Sequence, residues 1–140
     1  MILVAHRGNI SGPNKKKENS PQYIQEALDL KYDVEVDVWV DDGIWLGHDK
    51  PQYKIGLKFL MSNFRHLWIH CKNLEAMDLF SELRLLNFFW HEEDDFALTS
   101  KNFIWTYPGK RVCNKSVIVV EDARSYGGQP CFGLCSDFLK

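Results

Sequence analysis

Seven short apolar runs recur along this chain with little room between them, and they limit what it can fold into. Residues 2–5, 32–40, 67–70, 88–91, 103–106, 116–120 and 132–135 are rich in Val, Ile, Phe and Trp, the composition of buried or half-buried strands. Helical signals lie between some of them. Ser20-Pro21 reads as an N-cap followed by a first-turn proline, ahead of an apolar stripe at Ile24, Ala27 and Leu28. Asn73 caps a second stripe that begins at Leu74 and carries Met77, Leu79, Leu83 and Leu86. A shorter helix fits residues 57–61. Asp41-Asp42-Gly43 reads as a tight turn that folds residues 44–47 back on 38–40. Strand, helix and strand in repetition predict a parallel sheet with crossover helices, in one domain spanning residues 1–140. After Leu86 the helical periodicity fades, and residues 92–101 and 122–130 read as loops.

The 140 residues are 45% hydrophobic, enough for one core, and carry a formal net charge of −2. That charge argues against nucleic acid, whose binders cluster basic residues. The one basic block, residues 15–17, is either a solvated loop or a means of drawing an anionic substrate. Cys71, Cys113, Cys131 and Cys135 lack paired zinc-site spacing and are expected as reduced thiols. The apolar opening is cut short by His6 and Arg7, so neither a signal core nor a membrane span is expected, and the predicted location is cytoplasmic.

Asp33-Val34-Glu35-Val36-Asp37-Val38 alternates strictly. In a strand the valines share one face, while Glu35 and Asp37 share the other about 7 Å apart. An acidic face in water would need no partner. If the valine face packs on helices, the acidic face turns toward the middle of the sheet, where two carboxylates require a counter-charge such as a divalent ion.

His6 and Arg7 follow the first strand directly, and His48 follows the hairpin after the second. Imidazoles titrate near neutrality and serve as acid or base, and a guanidinium presents a planar fork to phosphate oxygens. Glu18 either holds that fork or favours the start of the helix after Ser20.

The ordered set His6-Arg7-Gly8, Glu18-Asn19-Ser20, Glu35-Val36-Asp37 and His48-Asp49, with Ala27 in the intervening helix, resembles the glycerophosphodiester phosphodiesterases. These belong to the wider group that includes phosphatidylinositol-specific phospholipase C. The likeness covers about the first fifty residues closely; Trp105-Thr106 and Ser136-Asp137 are weaker echoes of late strands. It implies an α/β fold, a TIM-type (β/α) barrel, with a metal-dependent phosphodiesterase site at its carboxyl face. His6 and His48 would be the acid–base pair, and Arg7 would bind phosphate with Lys72 beside it. Trp105 would be a pocket wall, and Glu18 would support Arg7. Glu35 and Asp37 would hold one divalent ion, magnesium, calcium or manganese. The substrate would be a glycerol- or sugar-linked phosphodiester, whose neighbouring hydroxyl attacks to give a cyclic phosphate. A phosphodiester-binding module without turnover is the alternative.

Two departures from the family pattern are visible. Residues 67–72, Leu-Trp-Ile-His-Cys-Lys, keep the third strand's lysine but put His70 where the family has a metal-binding glutamate, which admits zinc as the ion. The chain is also short, since such a barrel takes about 250 residues. The expected fold is therefore a reduced barrel with several outer helices shortened or replaced by loops, self-associating through uncovered strand faces. Asp137 reads as a cap ending the last strand or, alternatively, as a residue that orients a site group, His66 as a surface residue, and residues 91–95 as a solvated acidic loop from which His91 or Glu92 could turn inward.

Overall fold

The computed structural model describes residues 1–140. Strand β1 (Ile2–His6) lies between two parallel neighbours, β2 (Asp33–Val40) on one side and the last strand, β10 (Gly133–Ser136), on the other. From β2 the parallel pairing continues to β5 (Leu67–Cys71) and then β6 (Phe88–Phe89). From β10 it continues to β9 (Ser116–Val119) and β8 (Ile104–Thr106). All seven apolar runs form strands. Three short antiparallel strands complete the sheet: β3 (Ile44–Leu46) against β2, β4 (Tyr53–Ile55) against β3, and β7 (Phe96–Leu98) against β8.

Two of the three helices fall where the caps place them. Helix α1 (Pro21–Asp29) starts at Ser20, whose side chain accepts from Tyr23 N–H at 3.3 Å. Helix α3 (Leu74–Ser81) starts at Asn73, which accepts from Ala76 N–H at 3.2 Å. The short α2 (Leu57–Ser62) has no side-chain cap bond. All three precede residue 82, and none is long and apolar enough to cross a membrane.

The expected reduced TIM-type barrel is not what forms. A TIM barrel needs a helix between successive strands, whereas this chain builds a mixed sheet of ten strands with only three short helices. The physical reason lies in the connections. Residues 107–115 join β8 to β9 with too few residues for a helix and two turns, and residues 90–95 are acidic and without an apolar stripe. Only a 3-10 turn at Ala123–Ser125 interrupts the link from β9 to β10.

The sheet has two apolar faces. Val34, Val36 and Val38 of β2 pack with Ile24 and Ala27 of α1, Leu60 of α2, and Ala76 and Phe80 of α3. The other face curls on itself: Val4, Trp68, Phe89, Trp105, Val117 and Cys135, from six different parallel strands, form one buried cluster. Phe89 on β6 stacks on Trp105 on β8 with ring centroids 4.6 Å apart, although no ladder pairs those two strands. Trp105 is thus core, only 4% exposed, and does not form the pocket wall expected of it.

Candidate functional site

Strand register assembles the site. Parallel pairing sets His6 opposite Glu35 and Asp37 opposite His70, while Ala5 opposite Ser136 brings Asp137 beside His6. Residues opposite each other in a ladder share a face. The same alternation that turns the valines to the helices therefore sends Glu35 and Asp37 to the concave face, level with the carboxyl ends of β1 and β5. Both are buried, 2% and 1% exposed, so the acidic face is not a solvated one.

His6 Nδ1 lies 2.9 Å from Asp137 Oδ1. A carboxylate only accepts, so Nδ1 carries the proton and Nε2 is left free, 4.0 Å from Glu35 Oε2. Burial opposes charging this imidazole, but the bond to Asp137 and the charge of Glu35 outweigh it and raise its pKa above the usual histidine value. Asp137 is held below the ordinary carboxylate range: burial pushes the other way and is outweighed by His6. Asp137 is thus no mere strand cap.

Arg7 lies just past β1 with φ at +54°, a left-handed conformation rare outside glycine and one sign of a constrained site. Its backbone N–H is fixed by the Glu35 carbonyl at 3.0 Å and reaches Glu35 Oε2 at 3.3 Å. Its Nη1 donates to Glu18 Oε2 at 3.3 Å, and Nε lies 3.3 Å from Asp37 Oδ2 without hydrogen-bond alignment. Nη2 has no protein partner. Glu18 therefore holds the fork rather than merely favouring a helix start. The next residue, Gly8 at φ +88°, passes so close to Tyr23 that a Cβ there would meet its ring at 3.0 Å.

Glu35, Asp37 and His70 place donor atoms within 4.8 Å of one another. His70 Nε2 faces the backbone carbonyl of His91 at 2.8 Å, and a carbonyl only accepts, so Nε2 carries the proton. In the neutral ring Nδ1 is then a bare lone pair, aimed at Asp37 Oδ1 at 3.2 Å and Glu35 Oε1 at 3.7 Å. Asp37 Oδ1 is buried without a hydrogen-bond partner. Three electron-pair donors facing one another call for a cation, and these residues fit a divalent ion. Burial and repulsion from Asp37 raise the Glu35 pKa. With no ion bound, Asp37 is held far below the usual range; burial opposes this, but His70 in its charged form, Arg7 and Lys72 prevail. Lys72 Nζ stands 3.7 Å from Asp37 Oδ1.

His48 is less firmly built in. It is half-buried, and its Nδ1 pairs with Asp49 Oδ1 at 2.7 Å. The bond from Gly47 N–H to the Asp37 carbonyl, 3.1 Å, anchors its loop beside the acidic pair. With Arg7, Glu18, Asn19, Lys15, Lys50 and Gln52 it lines a wholly polar cleft of about 320 Å³. Arg7 and His48 thus share one cavity.

Sequence reasoning missed two supports. Asn9, fully buried, donates to both Glu18 Oε1 and Asp137 Oδ1 at 2.9 Å, tying the Arg7 partner to the His6 partner. Asn19, at φ +62°, clasps Asp37 twice, donating to Oδ2 at 2.9 Å and accepting from its N–H at 3.0 Å. The signal was present for Asn19, inside a motif already singled out; Asn9 follows His6-Arg7-Gly8 with nothing to mark it. His91 does turn toward the site, but through its main-chain carbonyl.

No protein-family model, curated protein or solved structure matches the chain. Its function is therefore argued from the geometry of this rim.

Proposed function

We propose that this chain is a metal-dependent phosphodiester hydrolase acting on a glycerol- or sugar-linked phosphodiester. One observation carries the proposal. An imidazole with its tautomer fixed, a guanidinium with a free edge and a cation-demanding trio of donors converge at one rim of the sheet.

His6 takes the proton of the attacking hydroxyl onto Nε2, the nitrogen Asp137 leaves free, and becomes the imidazolium. Asp137 keeps the ring oriented and stabilises the imidazolium that forms. Arg7 offers Nη2 to a phosphate oxygen while Glu18 holds its other edge, and Lys72 adds a second positive charge nearby. His48, with Nδ1 on Asp49 and in the cleft it shares with Arg7, offers Nε2 as the acid that gives a proton to the leaving oxygen. Glu35, Asp37 and His70 would hold the divalent ion, which when bound supplies neutralisation of charge on the phosphate.

Purified protein with manganese or magnesium should hydrolyse a glycerophosphodiester, and His6→Ala should lower the rate about a hundredfold or more. Hydrolysis that survives this substitution would reject the acid–base role.

The partial exposure of His48 favours a second reading, a binding module that keeps the phosphate pocket without turnover. Saturable binding of a glycerophosphodiester with no product after prolonged incubation would select it.

A further inference from the structure

We infer that the Glu35–Asp37–His70 trio selects a transition ion of the manganese-to-zinc class over magnesium and calcium. The inference rests on the metal reading above and deepens it. It comes from which lone pairs the protein has left free.

Each carboxylate has one oxygen already engaged. Glu35 Oε2 accepts from the backbone N–H of Arg7 at 3.3 Å, and Asp37 Oδ2 accepts from Asn19 Nδ2 at 2.9 Å. That leaves Glu35 Oε1 and Asp37 Oδ1, one oxygen from each, and these are the two atoms that face His70 Nδ1. Bidentate binding by either carboxylate would set the ion in competition with an N–H already bonded to its second oxygen. Calcium seeks six to eight oxygens and commonly a bidentate carboxylate, and magnesium seeks an octahedron of oxygens, so two single oxygens and a nitrogen serve both poorly. An imidazole nitrogen with two carboxylate oxygens suits manganese through zinc, with affinity rising from manganese to copper and falling again at zinc.

His70 is held for this task rather than free to swing aside. Its Nε2–H is fixed to the His91 carbonyl at 2.8 Å, and its ring lies flat on Phe89, with centroids 5.2 Å apart and planes 7° apart. Outer contacts of this kind orient a ligating ring and commonly change metal affinity by about tenfold to a hundredfold. Asp37 Oδ1, buried and without a hydrogen-bond partner, is a second and independent sign that a cation belongs there.

The test uses the intact protein and metal ions alone, with no substrate. Manganese is titrated while its electron paramagnetic resonance signal is followed, and magnesium and calcium are added as competitors. Electron spin-echo modulation then detects any nitrogen bonded to the bound manganese. Zinc is compared in a Cys113→Ser, Cys131→Ser background, because those two thiols are not fully buried and would bind zinc by themselves. The expected result is one manganese site with nitrogen coupling, which magnesium and calcium displace only at concentrations about tenfold or more above manganese. His70→Glu should abolish the nitrogen coupling and close that gap.

Manganese bound without nitrogen coupling, or magnesium competing as an equal, overturns the selectivity while leaving the phosphodiesterase reading intact. No ion bound at all overturns both. Selective binding by a protein inert toward every diester supports this inference and sinks the enzyme reading instead. Since the competition and the nitrogen signal are measured on the unmodified chain, a His70→Glu variant that fails to fold leaves the test decisive.

Discussion

Asp137 carries more of the site than any single residue outside the four motifs. Replacing it with Asn keeps the size but removes the charge that raises the His6 pKa, and it permits a ring tautomer with the proton on the wrong nitrogen. In the metal-free protein the His6 pKa, followed by NMR, should fall on Asp137→Asn, and hydrolysis should drop about a hundredfold or more. The sign for stability follows from the raised folded value. The stabilisation from charging His6 is fully present below its unfolded pKa of about 6.5 and is lost as pH rises through the folded pKa. Asp137→Asn should flatten that part of the pH–stability curve. An unchanged His6 titration in the variant would refute this coupling. His6, Arg7, Glu35 and Asp37 were legible because each sits at a strand end or on an alternating face. Asp137 could be read only as an orienting group or a cap, without choosing between them, because its partner lies 131 residues away in sequence, and only the pairing of the last strand with the first brings the two together. Trp105 was misplaced for the same reason: an aromatic residue on a strand looks the same in sequence whether it borders a cavity or fills one.

Among the elements, the caps were the most legible features and Asn73 the most instructive. Its side chain does more than start α3. Asn73 Oδ1 accepts from Ala76 N–H and from Val40 N–H, the latter at 3.1 Å, while its Nδ2 donates to the Val40 carbonyl at 2.7 Å. One residue thus caps a helix and pins the far end of β2, whose middle carries the acidic pair. A cap alone is worth about 1 kcal/mol, and the added bonds to Val40 about 1 kcal/mol more. Asn73→Ala should therefore lower stability by about 2 kcal/mol in denaturant melts. Ser20→Ala, at a helix start with one cap bond, should cost about half as much. Equal losses at the two caps would show that the Val40 clasp contributes nothing. The strands β4 and β7 were illegible for a complementary reason. Each has three residues, and each forms because a neighbouring edge offers partners rather than because Tyr53–Ile55 or Phe96–Leu98 has strong preferences of its own.

At the scale of the whole molecule, the seven parallel strands were readable, two of the antiparallel additions were not, and the missing helices decided the architecture. Where helices would cover the outer face of the second half, loops run instead, and Phe96, Leu98 and Tyr107 stay exposed. Stability must then come from the concave side, where the sheet is held by side chains at the point where its ladder stops. Trp105 touches Phe89 at 4.6 Å and Trp68 at 6.2 Å, and Trp68 in turn packs edge-on against Phe103 at 5.2 Å. If this aromatic seam joins β6 to β8, Phe89 and Trp105 must be energetically coupled although no backbone bonds link their strands. A double-mutant cycle with Phe89→Leu and Trp105→Leu should give a coupling of about 0.5–1.5 kcal/mol, the range for packed aromatic pairs. Trp105→Ala alone should cost about 3–5 kcal/mol, as for a buried large aromatic, whereas Trp105→Phe should retain phosphodiester binding because the ring does not line the cleft. Additive losses in the cycle would mean that the two ends of the sheet merely lie near each other. A loss of binding in Trp105→Phe at full stability would instead return Trp105 to the pocket.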